Sequence, residues 1–300
     1  MAPKKFKWRR TNVKEFLCVV PAVVMVIVTT YYPLVDLVRI SFTDWDMLKK
    51  DYQYVGLTNW VWFVKNASRN HFFADMKVTL IYTFFTLLIS LVLGMLLALL
   101  MGRMTRPFGM MRAVIFMPRY VAMSTAGIIF VWMLNTDYGI VNNVLALLGA
   151  QRIPWLTQPV TAMISVLVLS AWHSVGYSMM IYLSAMTGIP KDYYEIASLD
   201  GASRRVQFFK ITVPLLSPTT MFLLVTTFIS SMKVYNSIDV LTQGGPYRST
   251  EVIVYLIYRL AFVDYRVDRA AVVATVFFLI LLVVTVLTMR WSENKVNYDT

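Results

Sequence analysis

Tyr194-Glu195-Ile196-Ala197-Ser198-Leu199-Asp200-Gly201-Ala202, followed by Ile211-Thr212-Val213-Pro214, is a polar interruption between two long hydrophobic runs. Its local chemistry predicts two short helices joined by a turn. Pro190 suits a first helical position, where its missing N–H would be unpaired anyway. Asp192 and Glu195 then fall in the first turns, near the positive end of the helix dipole. Gly201 can take the left-handed conformation that ends a helix. Ser203 can cap a second helix running through Phe208, Phe209 and Ile211 until Pro214. Arg204 and Arg205 open that helix, where the dipole disfavours cations. They are expected to face something acidic outside the chain, either lipid phosphates or a partner. Such a hinge in so apolar a chain reads as a handle by which a soluble partner moves a membrane part.

The 300 residues are 58% hydrophobic and 15% charged, with a mean hydropathy of +0.62. A soluble domain carries about 25% charged residues, so this chain meets lipid over most of its surface. The net charge of +12 fits basic cytoplasmic loops and anionic lipid rather than nucleic acid. Cys18, the single cysteine, has no partner for an internal disulfide. No Cys/His cluster has metal spacing, and His71 and His173 read as surface or packing residues. No Gly-x-x-x-x-Gly-Lys-Ser/Thr loop is present to cradle nucleotide phosphates. No metal, cofactor or catalytic residue is expected, and energy must come from another polypeptide.

Taken in order, residues 1–15 form a basic tail with Lys4, Lys5, Lys7, Arg9 and Arg10. No small-residue cleavage site follows the next apolar run, which is expected to be a retained helix. Phe16 to Val35 is uncharged and long enough to cross hydrocarbon, with Pro21 and Pro33 kinking or ending it. A polar, aromatic loop follows from Asp36 to Lys77, with Trp45, Trp60 and Trp62 suited to the interface. Val78 to Gly102 is a second span, with Gly94, Ala98 and Gly102 forming a small-residue stripe for close packing. Arg103, Arg106 and Arg112 mark a cytoplasmic turn. The third span runs from Met110 to Leu134; Arg119 within it is expected to snorkel or to pair across the interface. Thr136 to Pro159 is an external loop with room for a short helix. The fourth span covers Thr161 to Met186 and the fifth Leu215 to Ile238. Leu241-Thr242-Gln243-Gly244-Gly245-Pro246 is a tight external turn, and the sixth span covers Ala270 to Met289. Basic residues near the span ends put both termini and Glu195 in the cytoplasm. The expected fold is therefore an all-α polytopic membrane protein with six transmembrane helices in the cell membrane.

The 194–214 stretch resembles the EAA loop of ABC importer permeases, whose pattern is Glu-Ala-Ala, Asp-Gly-Ala, then Ile-x-Leu-Pro. Glu195, Ala197, Asp200, Gly201, Ala202, Ile211 and Pro214 match it; Ile196 and Val213 depart from it, apolar for apolar. Tyr54-Val55-Gly56-Leu57-Thr58-Asn59 is similar to a Phe-Val-Gly-Leu-x-Asn segment of sugar-type permeases. Leu241 to Pro246, with Thr250 and Ile257-Tyr258, is similar to a Leu-Thr-x-Gly-Gly-Pro segment of the carbohydrate branch. The resemblance implies a type I importer permease fold whose 190–214 loop is a cytoplasmic coupling helix. The chain would divide into the tail 1–15, a first helix and loop over 16–77, a five-helix core over 78–289, and a cytoplasmic tail over 290–300. It also implies the partners: two ABC ATPase subunits, a second homologous permease and an extracytoplasmic substrate-binding protein.

Nucleotide-driven closure would then push the coupling loops together and rock the spans between inward-open and outward-open states. For the solute path, Tyr177, Ser178 and Tyr182 on the fourth span are candidates, with Ser230, Ser231, Lys233 and Tyr235 on the fifth. Each is otherwise a packing or interface residue. Lys233 either snorkels outward or marks a solute with a negative group such as a uronate or phosphate. Alternatives are a permease for a non-carbohydrate solute, such as glycerol phosphate or an amino acid, and an ion-coupled secondary transporter. The latter would usually show broken helices and intramembrane acids at matching places, and neither is expected here.

Overall fold

The computed structural model describes residues 13–69, 71–102 and 105–293, with side chains from Leu17 to Arg290. The basic residues Lys4 to Arg10, Arg103 and the tail beyond residue 293 lie outside the described residues. The elements described are helices, and a single bridge, Thr43 to Tyr54, pairs extended chain. The chain divides into two units: residues up to Lys65 with Leu260–Val276, and Asn66–Arg259 with the segment from Phe277 onward.

In the first unit, α1 (Val13–Val26) passes through a π-turn (Ile27–Tyr31) into α2 (Tyr32–Ile40). The apolar stretch Leu17–Ile40 is 24 residues long, about 36 Å of helix. It outruns the expected Val35, and neither proline ends it. Pro33 would clash with a carbonyl one turn back. The π-turn opens the helix just before it, with the Tyr32 N–H donating to the Ile27 carbonyl five residues back. Asp36 and Arg39 thereby fall within the helix, where they pair at 2.7 Å. The expected loop after it contains a helix, α3 (Thr58–Asn66). Asn59, from the Val-Gly-Leu-x-Asn segment, is buried and donates to the carbonyls of Thr43 (2.7 Å) and Ser41 (3.2 Å).

The second unit is built on α4 (Phe72–Leu100) and α8 (Pro159–Thr187), each 29 residues long. They pack along a face of α4 that recurs every fourth residue: Tyr82, Thr86, Ser90, Gly94 and Ala98, all buried. Small and hydroxyl side chains let the backbones close. A Cβ on Gly94 would sit 2.6 Å from the Ser178 Cβ. Ser90 and Ser178 share a 2.6 Å hydrogen bond, and the Tyr82 hydroxyl donates to Ser170 at 2.8 Å. Gly102 of the expected stripe takes no part, because it lies past the helix end and faces only its own last turn.

The third span is broken, not continuous. Helix α5 (Arg106–Phe116) leads into a 3-10 turn (Met117–Tyr120), and α6 (Met123–Met133) departs at 101°. Pro118 removes a helical N–H, and Val121 and Ala122 are non-helical at ψ 129° and 130°. Gly176 seats α5 against α8, since a Cβ there would run into the Ile115 carbonyl. The 136–159 segment carries the short helix expected, α7 (Ile140–Leu147), pinned by buried Asn142.

After α8 come α9 (Asp192–Leu199), α10 (Arg204–Gln207) and α11 (Val213–Leu215), the last two joined by a π-turn (Phe208–Thr212). Pro214 does not end this helix, for the same reason as Pro33: the Val213 N–H reaches back five residues to Phe208. The break comes at Leu216, where the chain bends by 61° into α12 (Ser217–Met232). The fifth span stops at Met232 rather than Ile238, and α13 (Asn236–Leu241) is separate. The tight turn after α13 is held by Thr250, which donates to the Gly245 carbonyl and bonds Thr242, both at 2.7 Å. Beside it, buried Asp75 pairs with Arg248 (2.9 Å), which also pairs with Glu251, itself paired with Arg259. The expected loop here contains a further helix, α14 (Ile253–Tyr258), extended by a π-turn to Val263.

The last helix is α15 (Val267–Glu293), whose first ten residues belong to the first unit. There Asp268 N–H donates to the Trp45 carbonyl and the Arg269 guanidinium lies 4.3 Å from the Trp62 ring centroid. Among the described residues four helices are thus long and apolar enough to cross a membrane, and counting each of two bent pairs as one span makes six. Two of the spans are broken, where no broken helix was expected.

Candidate coupling helix and translocation cavity

The 190–214 stretch forms one braced knob. Its first helix starts at Asp192, with Lys191 rather than Pro190 at the entry, and the N–H groups of Tyr194 and Glu195 bond the Lys191 carbonyl. Asp192 and Glu195 remain in the first turn. The end is a Schellman motif: the Ala202 N–H reaches the Ala197 carbonyl at 2.8 Å and the Gly201 N–H reaches Ser198 at 3.1 Å. Gly201 has φ +76°. A Cβ there would meet no atom within 4 Å, so a side chain would be resisted by backbone strain and not by a clash.

Ser203 caps α10 through the Val206 N–H. Gln207 returns to α9, donating to Ser198 Oγ at 3.0 Å and the Ala202 carbonyl at 3.1 Å. Tyr194 and Thr212 share a 3.0 Å bond between hydroxyls. Two ties therefore fix α9 to the segment that feeds α12. Ile211 is half-buried within that segment, and Pro214 sits in α11. The outer face is different. Ile196 is 60% exposed and Leu199 88% exposed, three residues apart and so on one side of the helix. Glu195 and Asp200 are exposed beside them.

A second site lies between the helices. A cavity of about 500 Å³ is walled by α4 (Tyr82, Thr86, Ser90), α8 (Ser170, His173, Ser174, Tyr177, Ser178) and α12 (Thr226, Thr227, Ser230, Ser231). Arg119, Met123 and the 233–237 segment complete it. Thr86 and His173 are the midpoints of Phe72–Leu100 and Pro159–Thr187, so the cavity sits half-way along both. Six of the seven residues singled out for the solute path line it. The exception is Tyr182, which is fully buried and donates to Thr220 at 3.2 Å in the packing between α8 and α12. Tyr182 is five positions from Tyr177, about 140° around a helix, and therefore faces elsewhere.

Two further residues belong to the wall. Arg119 is exposed and has no acid within ion-pair distance among the described residues; its guanidinium lies 5.2 Å from the Tyr177 ring centroid. His173 donates from Nε2 to the Val121 carbonyl at 3.3 Å, tying α8 to the break between α5 and α6. The spacing of His173, Ser174 and Tyr177 on one face of α8 was the available signal. Tyr235 stacks on Tyr255 with ring centroids 6.1 Å apart and meets Tyr258 at a tilt, 5.1 Å away. A larger hollow of about 1190 Å³ is lined by apolar side chains such as Ile81, Phe85, Leu93, Ile164 and Trp172. That surface suits hydrocarbon, whereas the smaller cavity offers the hydroxyls a polar solute needs. Among the described residues no group of three or more His, Cys, Asp or Glu could hold a metal.

The chain matches the family described as binding-protein-dependent transport system inner membrane component over residues 90–298. It is 30% identical over 288 residues to the sn-glycerol-3-phosphate transport system permease protein UgpA of Agrobacterium fabrum, covering 96% of this chain and 97% of that one. It is also 30% identical to the probable ABC transporter permease protein YurN of Bacillus subtilis, covering 95% and 98%. In fold it is similar to a bacterial ABC transporter involved in the import of the acidic polysaccharide alginate. The TM-score is 0.84 at 24% identity, with 94% of this chain and 96% of that one covered. The chain thus belongs to the inner-membrane components of binding-protein-dependent transport systems, the permease subunits of ABC importers.

Proposed function

We propose that this permease forms the path for a sugar or sugar-like solute handed over by an external binding protein, and that a separate ATPase drives it through the 190–214 knob. The observation that carries the mechanism is the exposed apolar face of α9. Ile196 and Leu199 stand open on a helix outside the spans, where each costs free energy until something covers it. The knob behind that face is tied by Gln207 and by the Tyr194–Thr212 bond to the segment that feeds α12, so a push on α9 is carried toward a wall of the polar cavity. A pair of ATPases acting on this chain and on a second, homologous permease would open the cavity to either side in turn. Both termini would then lie in the cytoplasm with the knob.

Two relatives bear on the solute. UgpA is named for sn-glycerol-3-phosphate, and the alginate transporter is described in complex with an alginate pentasaccharide-bound periplasmic protein. Polyhydroxylated solutes of that kind suit a wall of serine, threonine and tyrosine. The deciding experiment is Gly201→Trp in the assembled transporter. The variant is expected to reach the membrane with uptake abolished and ATP hydrolysis uncoupled from solute. Normal uptake by Gly201→Trp would remove the knob from the mechanism.

A further inference from the structure

The polar cavity carries charge of one sign. Arg119 and Lys233 line it, and no aspartate or glutamate does. Neither cation has a carboxylate within ion-pair distance among the described residues. Both side chains are exposed; Arg119 lies over the face of Tyr177 with His173 in the same lining, and Lys233 follows directly on the last residue of α12. Their places in the chain differ, one on the 3-10 turn that breaks the third span and the other at the end of the fifth. The folding of two separate breaks brings both into the lining of one cavity, half-way along α4 and α8.

An unpaired cation at membrane depth is costly and ordinarily marks an ion or substrate pathway. The dipole at the end of α12 favours a cation at Lys233 by a smaller amount, and it does not explain why no acid accompanies either charge. Elsewhere in the chain the contrast is plain. Buried Asp75 and Glu251 are matched by Arg248 and Arg259. A guanidinium offers a planar fork that matches carboxylate or phosphate oxygens, and an ammonium adds a compact second charge.

Resting on the reading of this cavity as the solute path, we propose that the solute is an anionic, polyhydroxylated compound. Arg119 and Lys233 hold its carboxylate or phosphate, and the hydroxyls of α8 and α12 hold its neutral part.

The test uses the complete transporter with its binding protein in proteoliposomes. Labelled uptake is measured for a uronate oligosaccharide, a polyol phosphate and a neutral oligosaccharide of matched size. One of the two anionic solutes is expected to be taken up, and which one it is separates carboxylate from phosphate. Arg119→Gln and Lys233→Met should each reduce that uptake by about tenfold or more, the scale of a lost charge-assisted hydrogen bond. Lys233→Arg should keep most of it, which excludes misfolding as the cause. ATP-driven uptake of the neutral compound alone would overturn the anionic assignment and leave the transport reading intact. Anion uptake unaffected by either charge-removing variant would overturn the assignment of these two residues. ATP-independent uptake, or none of any solute, would overturn the transport reading and this proposal with it.

Discussion

Leu199→Ala isolates the docking face from everything else the knob does. Leu199 is 88% exposed, so in the free chain the substitution should shift stability by no more than about 0.5 kcal/mol. Its loss appears only if a partner buries the side chain. Leucine to alanine removes three carbons, each worth about 0.8 kcal/mol on burial. Scaled by the exposed fraction, about 2 kcal/mol of docking energy is at stake, or roughly thirtyfold in Kd. The assay is titration of the nanodisc-held chain with its purified ATPase, wild type against variant, with thermal midpoints measured in parallel. A Kd within about twofold of wild type, together with normal uptake, would refute the idea that this face is covered in the working complex.

Three other outcomes follow from packing and charge. Gly201→Ala should cost about 1–2 kcal/mol through left-handed strain alone, since nothing lies within 4 Å of the new carbon; chemical denaturation of the knob, followed by exchange of its amides, reads this out. Gly176→Ala drives a methyl into the Ile115 carbonyl and should lower the melting temperature by the equivalent of about 3 kcal/mol, the upper end for overpacking; an unchanged melting temperature would mean that α5 does not sit on α8 as described. Asp75→Ala takes one of two buried carboxylates from Arg248, which keeps Glu251, and should destabilise by about 1–3 kcal/mol, read as a lower thermal midpoint; an unchanged midpoint would mean that the Asp75–Arg248 pair contributes nothing.

The unbroken spans were legible because an uncharged run of more than twenty residues has few alternatives to crossing lipid. The knob was legible because Gly201 and Ser203 each dictate a local conformation. The breaks were not. Pro118 was visible inside the third span, yet an apolar sequence on both sides reads as one helix, and proline alone does not say whether a helix kinks or turns by 101°. Pro33 and Pro214 show the opposite outcome, each absorbed by a π-turn. The cavity was hard to see for a related reason. A hydroxyl in a span can satisfy itself on its own helix, as Ser174 does on the Ser170 carbonyl and Thr226 on Phe222, so serine and threonine do not announce a polar path. Arg119 was noticed without its neighbours, because only the fold brings the break in the third span against Tyr177.

The claim beneath all of this is that a second, nucleotide-binding polypeptide moves the chain by gripping α9. Replacing Ile196 with a photo-reactive phenylalanine in the native membrane, then identifying what it crosslinks with and without ATP, tests that directly. A crosslink to one ATP-binding subunit, changed in yield by nucleotide, is the predicted result. A knob that captures only lipid or water, in membranes that still take up solute, would contradict the account.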